Sequence, residues 1–319
     1  TDDVRDIVPE WLLLLHGVID SPDIPLNVSR SYLQADGNVK KISEYITRKV
    51  ADKLNDLFKT DRPAFEQKWR DLGVFVKYGV ISDKKFEDRA NNFTLVENTK
   101  GEFFLLPEYK DKIKANQTDK HEKVVVIYTN DPEAHHAQIV SAVARGYDVL
   151  RLETVLDNHW IQHMEYRSEL GLVFVRVDSE TVDNLVQKDE NRESILSEEE
   201  QTAVKHLFEA AVKGQAGASV TLSPLSPDEA PVLITRPEFM RRMKEMQSLH
   251  GMGMGDFGDM YNVVVNSNHP VIVNKLLKIS ESGEKEHLAK YLLNLALLQQ
   301  GMLRGEALTG FVQATLGKI

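Results

Sequence analysis

The stretch Lys123-Val-Val-Val-Ile-Tyr-Thr-Asn-Asp-Pro132 decides the fold class. Val124–Tyr128 is an unbroken apolar run that ends in turn-forming residues. It reads as a strand buried on both faces, as in a parallel sheet covered by helices. Asp131 is a helix cap, and Pro132 suits the first helical position, where a missing N–H costs nothing. The helix is predicted to run to Arg145 and to stop at Gly146. Val149–Leu152 and Leu172–Val177 supply the next strands, so residues 123–177 form an α/β unit. Such units often bind nucleotides at the carboxyl ends of their strands. Here the first strand exits into Thr129-Asn-Asp-Pro132, without a glycine-rich phosphate cradle. The unit is therefore read as a structural or docking module.

Towards the N-terminus, Val39, Ile42, Ile46, Val50 and Leu54 keep helical spacing over 38–58. Asp61-Arg-Pro63 breaks that helix, and Phe65 with Trp69 marks another helical face. Gly73–Val80 reads as extended, Lys84–Asn91 as a short helix, and Leu105–Tyr109 as the opening of one more. Towards the C-terminus, residues 187–201 are polar and acidic. Ser197 and Glu200 form a capping box before a helix with Val204, Leu207, Phe208 and Ala211 on one face, ending near Gly214. The composition changes here and places the main boundary at about 190–197. Strands follow at Ser219–Leu222, Val232–Thr235 and Tyr261–Val265, with a helix between the last two. Helices at 284–300 and 306–317 close the chain.

The 319 residues exceed one ordinary core. A net charge of −10 argues against non-specific nucleic-acid binding. Cysteine is absent, which excludes disulfides and thiolate metal sites and fits a reducing compartment. No apolar run approaches the roughly 20 residues of a membrane helix, and no basic segment suggests a signal peptide. The chain opens at Thr1, which suggests a fragment of something longer.

Three stretches carry candidate function. In Asp20-Ser-Pro-Asp-Ile-Pro-Leu-Asn-Val-Ser-Arg-Ser-Tyr-Leu-Gln34, Pro22 and Pro25 hold the chain extended up to Ser29, a good N-cap. Arg30 then sits at a helix N-terminus, where the macrodipole favours anions. It is either an exposed arginine escaping the dipole or one held out rigidly to meet an anion. The second stretch holds six of the eight methionines, at 240, 243, 246, 252, 254 and 260. On a helix over 237–249, Phe239, Met243 and Met246 share a stripe, with Met240 at its flank. The stripe is either core-facing or an adaptable surface for varied apolar partners. The loop that carries Met252 and Met254, Gly251-Met-Gly-Met-Gly255, bears on the second reading. Gly253-x-Gly255-x-x-Gly258 lacks the strand–turn–helix setting of a dinucleotide site. His159 and His163 lack a third convergent metal ligand, and His135 and His136 point apart on a helix. The third stretch is the helix 284–300, where Leu288, Tyr291, Leu292, Leu295 and Leu298 belong to an apolar surface that runs nearly all round. It is either a central core helix or the seam of a homodimer built as a four-helix bundle.

Pro-Glu-Trp-Leu (9–12), Gly17–Arg30 and Leu33-Gln34 together closely resemble the middle segment of the ninety-kilodalton heat-shock protein family, the bacterial HtpG type. The order Phe65…Trp69…Lys77-Tyr-Gly79…Asp83 matches that family more loosely. Asn266-x-x-His269-Pro270 and the Leu-Ala-Leu-Leu-x-x-Gly301 run resemble its C-terminal dimerisation domain. The resemblance implies the middle and C-terminal segments of an ATP-dependent chaperone without its nucleotide-binding domain. It implies an α/β (α+β) multidomain fold. Residues 1–96 would be part of the middle domain, 97–190 a smaller α/β/α subdomain, and 197–319 a mixed α+β dimerisation domain. Arg30 would reach the γ-phosphate of ATP, held with Mg by the N-terminal domain, and Gln34 would assist; the chain alone would not hydrolyse ATP. Phe239, Met240, Met243, Met246, Met252 and Met254 would contact unfolded or partly folded client proteins. Leu288, Tyr291, Leu292, Leu295 and Leu298 would form the homodimer seam. A cytoplasmic location and other chaperones as partners are implied too, with no nucleic acid and no membrane. The rivals are a dimeric α/β enzyme or a docking scaffold with a site in the 123–177 unit.

Overall fold

A computed structural model of the protein describes residues 7–12, 18, 20, 37–188, 192–215, 217–238, 242 and 260–317. The fold is mixed α+β and divides into two compact units, one of residues 1–112 and 152–172, the other of 113–151 and 173–319.

In the first unit, helices α1 (Gly37–Thr60), α2 (Arg62–Ser82) and α3 (Lys84–Ala90) pack on one another and precede a hairpin, β1 (Leu95–Asn98) and β2 (Phe103–Leu105), paired Leu95 to Leu105. The short helix α4 (Leu106–Ile113) follows, and α6 (Asp157–Tyr166) lies on α2. Asp61 caps α2 by accepting from the Ala64 amide at 3.1 Å, with Pro63 in the first turn. Asp83 closes α2 and caps α3, accepting from the amides of Lys85 and Phe86.

The extended reading of Gly73–Val80 is corrected: the whole stretch is helical and lies inside α2. Its valines and aromatics favour strand locally, but Phe65, Trp69, Val76 and Val80 keep helical spacing and are all buried. The glycines admit neighbouring rings. A Cβ on Gly73 would lie 3.0 Å from the Trp69 ring. On Gly79 it would lie 2.8 Å from Phe86 and 2.9 Å from Trp11. Burial of a helical face outweighs local propensity here.

In the second unit, β3 (Val124–Thr129) is buried throughout and runs parallel to β4 (Val149–Arg151), with Ile127 opposite Val149. Strand β5 (Leu172–Arg176) lies on the other side of β3, at the sheet edge. Helix α5 (His136–Ala144) begins one turn later than the Asp131-Pro132 signal predicts. Asp131 still caps a turn, accepting from the Ala134 amide at 2.9 Å, but His135 takes the helix cap position. Gly146, at φ +85°, ends the helix as expected. The short helix α7 (Val182–Leu185) follows.

Ser197 and Glu200 form the predicted capping box of α8 (Glu198–Ala211), and Gly214, at φ +93°, terminates it. The strands β6 (Ala218–Ser223), β7 (Val232–Thr235) and β8 (Tyr261–Asn266) form a mixed sheet in the order β6-β8-β7, with β6 parallel and β7 antiparallel to β8. Helices α9 (Ser282–Gln299) and α10 (Gly305–Leu316) complete the chain. One core joins these elements through Phe208, Val263, Val265, Ile272 and Leu293. Among the described residues, no helix is long and apolar enough to cross a membrane.

Candidate functional site

Arg30 and Gln34 lie outside the described residues. The start of their motif does not. Glu10–Leu12 form a 3-10 turn in which Trp11 is buried, its ring 4.0 Å from that of Phe86. Glu10 accepts from the Tyr78 hydroxyl at 3.1 Å. Glu10 and Trp11 are thus anchored on α2 and α3 through a hydrogen bond and an aromatic contact.

Phe239, Met240, Met243, Met246, Met252 and Met254 also lie outside the described residues. Glu238 and Arg242, which flank the first of them in sequence, are described. Arg242 Nε donates to Glu238 Oε1 at 2.6 Å, a helical i,i+4 pair. The same carboxylate accepts from the Tyr128 hydroxyl at 3.3 Å, which ties Glu238 to β3.

The five seam residues divide between core and surface. Leu292 is buried in the protomer's own core, and Leu288 and Tyr291 pack at its margin, the Tyr291 ring 5.3 Å from Phe311. Leu295 and Leu298 are each 41% exposed, three residues apart on one face of α9. On α10, Val312 and Leu316 are exposed as well.

The carboxyl ends of β3 and β5 hold a buried polar cluster that the sequence reading missed. Asp178 accepts from Arg176 Nε at 2.5 Å and from Arg176 Nη2 at 2.7 Å. His135 stands 3.4 Å from the same carboxylate, and its other ring nitrogen is 2.9 Å from Thr129 Oγ1. Burial alone would raise the Asp178 pKa, but His135 and Arg176 outweigh it and hold the carboxyl below its usual range. His135 therefore belongs to this cluster, while His136 is exposed. A Pro-set turn that lifts a histidine back over its own strand was the only signal available. Thr129, His135 and Asp178 align a hydroxyl, an imidazole and a carboxylate, but the Thr129 hydroxyl is fully enclosed and offered to no substrate, and Arg176 also reaches Asn130 Oδ1 at 3.4 Å. In the same unit, a cavity of about 280 Å³ is lined by Lys120, Arg145, Tyr147, Asp183, Lys188 and Arg192, with Asp183 bridging Arg145 at 3.2 Å and Arg192 at 3.1 Å. Among the described residues, no three His, Cys, Asp or Glu side chains gather in a way that could hold a metal.

Comparison with known proteins places these elements. The family described as "Hsp90 protein" matches residues 1–310. The chaperone protein HtpG of Porphyromonas gingivalis is 46% identical over 299 residues, covering 92% of this chain and 43% of that protein. The HtpG of Bacteroides fragilis is 36% identical, covering 99% of this chain and 56% of that protein. The HtpG of Wolbachia pipientis is 24% identical over 319 residues. Over most of its length the chain is thus similar to chaperone proteins. The chain belongs to the Hsp90 family. It spans about half the length of the curated relatives it matches.

Proposed function

We propose that this chain is the client-binding and dimerising part of an ATP-dependent chaperone. It would bind unfolded or partly folded proteins and assist their folding. The observation that carries the reading is the family match across residues 1–310, with HtpG relatives at 36–46% identity over nearly the whole chain.

In this reading, residues 1–96 and 97–190 belong to a middle domain and 197–319 to a C-terminal dimerisation domain. ATP and Mg are held by a nucleotide-binding domain outside these residues. Arg30 meets the γ-phosphate, and its planar fork suits bidentate contact with an anion. It stabilises charge on the transferring phosphoryl group while Gln34 assists. The methionine-bearing stretch receives clients, because unbranched methionine repacks against varied apolar surfaces. Two copies associate through α9 and α10, the exposed Leu295, Leu298, Val312 and Leu316 offering the apolar face. Other chaperones are partners, and the location is the cytoplasm.

The test is ATP turnover by the full-length protein. Arg30→Ala is expected to lower it at least about tenfold, about 1.4 kcal/mol of transition-state stabilisation. Folding and dimerisation should stay intact, and Arg30→Lys should recover little. Loss of folding without a separate effect on turnover would make the arginine structural and overturn its assignment.

A further inference from the structure

Strand β5 is an edge strand, and three of its outward backbone groups are taken up by Arg236, Glu238 and Arg242. The Val177 amide donates to the Tyr128 carbonyl at 2.8 Å, so odd-numbered residues of β5 face β3. Backbone groups alternate along a strand. Those of Phe174, Arg176 and Asp178 therefore point away from the sheet, as an open edge would offer them to another chain. Here four of these groups are occupied. The Asp178 carbonyl accepts from the Arg236 amide at 3.0 Å. The Arg176 amide donates to Glu238 Oε2 at 3.3 Å. The Phe174 carbonyl accepts from Arg242 Nη2 at 2.7 Å. The remaining outward carbonyl, of Arg176, accepts from both the amide and the hydroxyl of Ser179 within the turn.

Arg236, Glu238 and Arg242 thus stand in for a neighbouring strand. Glu238 accepts where a neighbouring strand would place a carbonyl, and Arg242 donates where it would place an amide. The two imitators are linked to each other at 2.6 Å. In sequence they flank the start of the methionine-rich stretch.

We propose that the outer edge of β5 is a strand-addition site for an extended segment of unfolded polypeptide, uncovered when Glu238 and Arg242 let go. This deepens the client-binding reading and rests on it. Main-chain hydrogen bonds at the Phe174 carbonyl and the Arg176 amide would supply sequence-tolerant affinity, as strand addition does elsewhere. A peptide backbone replaces the side-chain stand-ins group for group, so no buried N–H or C=O is left unpaired.

The test is site-resolved hydrogen exchange at the Arg176 amide, in the full chain, with the double variant Glu238→Gln, Arg242→Ala. The probe is a permanently unfolded, uncharged peptide, and its backbone N-methylated form is the control. The Arg176 amide is expected to exchange at least tenfold faster in the variant. Exchange should slow again on adding the peptide but not its N-methylated form, and the variant should bind the peptide more tightly than the parent. The Val126 amide in β3 monitors folding. If it also accelerates, the single variant Glu238→Gln gives the deciding measurement. A peptide that binds without protecting Arg176 overturns the edge site while leaving client binding standing. Peptide that binds neither parent nor variant overturns both. Equal protection by the N-methylated peptide also overturns strand addition.

Discussion

Lys77 and Asp157, 80 residues apart in the chain, form a buried ion pair with Nζ 2.5 Å from Oδ1. It joins α2 to α6 within the first unit. The other Asp157 oxygen accepts from the Thr154 amide at 2.7 Å, and the Lys77 ammonium stands 5.2 Å from the Trp160 ring centroid. Removing one partner strands a charge away from water, which costs far more than the pair itself contributes.

Asp157→Ala is therefore expected to destabilise the first unit by about 3–5 kcal/mol. The double variant Lys77→Met, Asp157→Leu should recover most of that loss. It should stay about 1 kcal/mol short, because the Thr154 amide loses its acceptor. Tryptophan fluorescence during denaturant unfolding isolates the effect, since all three tryptophans, Trp11, Trp69 and Trp160, lie in the first unit. A double variant no more stable than the single would show that the charges are not the cause.

Acid should act on the second unit through Asp178. Its carboxyl is held below the ordinary value of 3.8 by His135 and Arg176 against the opposing effect of burial. A lowered folded-state pKa contributes stability that is present above the unfolded value and is lost as pH falls through the folded one. The parent is thus expected to keep that contribution at neutral pH and to lose it progressively below about pH 4. Asp178→Asn should be less stable at neutral pH and show a shallower acid limb. Hydrogen exchange of β3 amides across the acid range reads this, and an unchanged acid limb would count against the cluster's role.

Leu295→Glu with Leu298→Glu should weaken homodimerisation at least about 100-fold, or about 2.8 kcal/mol. Stability of the protomer should change little, because these positions face outward while Leu292 and Leu293 carry the packing of α9. Sedimentation velocity at micromolar concentration separates the two effects. A parent chain that sediments as a monomer would remove the seam.

Much of the fold was legible where the signal is local. The capping residues Asp61 and Ser197 with Glu200, the apolar run Val124–Tyr128 and the stop at Gly146 each announce an element through neighbouring chemistry. Gly73–Val80 was misread because its conformation is decided by Trp11, Trp69 and Phe86 pressing on two glycines, a tertiary fact. Lys77 with Asp157, His135 with Asp178, and Glu238 on β5 are equally invisible, since each partner lies far off in sequence and looks like an ordinary surface residue. The candidate site was legible only through a resemblance. Arg30 held by two prolines and a cap suggests an anion, but nothing in the local chemistry says which domain presents it.

The central claim is that the methionine-bearing stretch receives unfolded protein. It is tested most directly by titrating the chain, and its Met243→Ser, Met246→Ser variant, into a fluorescently labelled unfolded polypeptide while following thermal unfolding of both proteins. The account predicts binding weakened at least about tenfold, about 1.4 kcal/mol, with the melting temperature nearly unchanged. Unchanged binding, or a loss of stability near the roughly 2–5 kcal/mol per site that deleting a core side chain costs, would contradict it and return those methionines to the core.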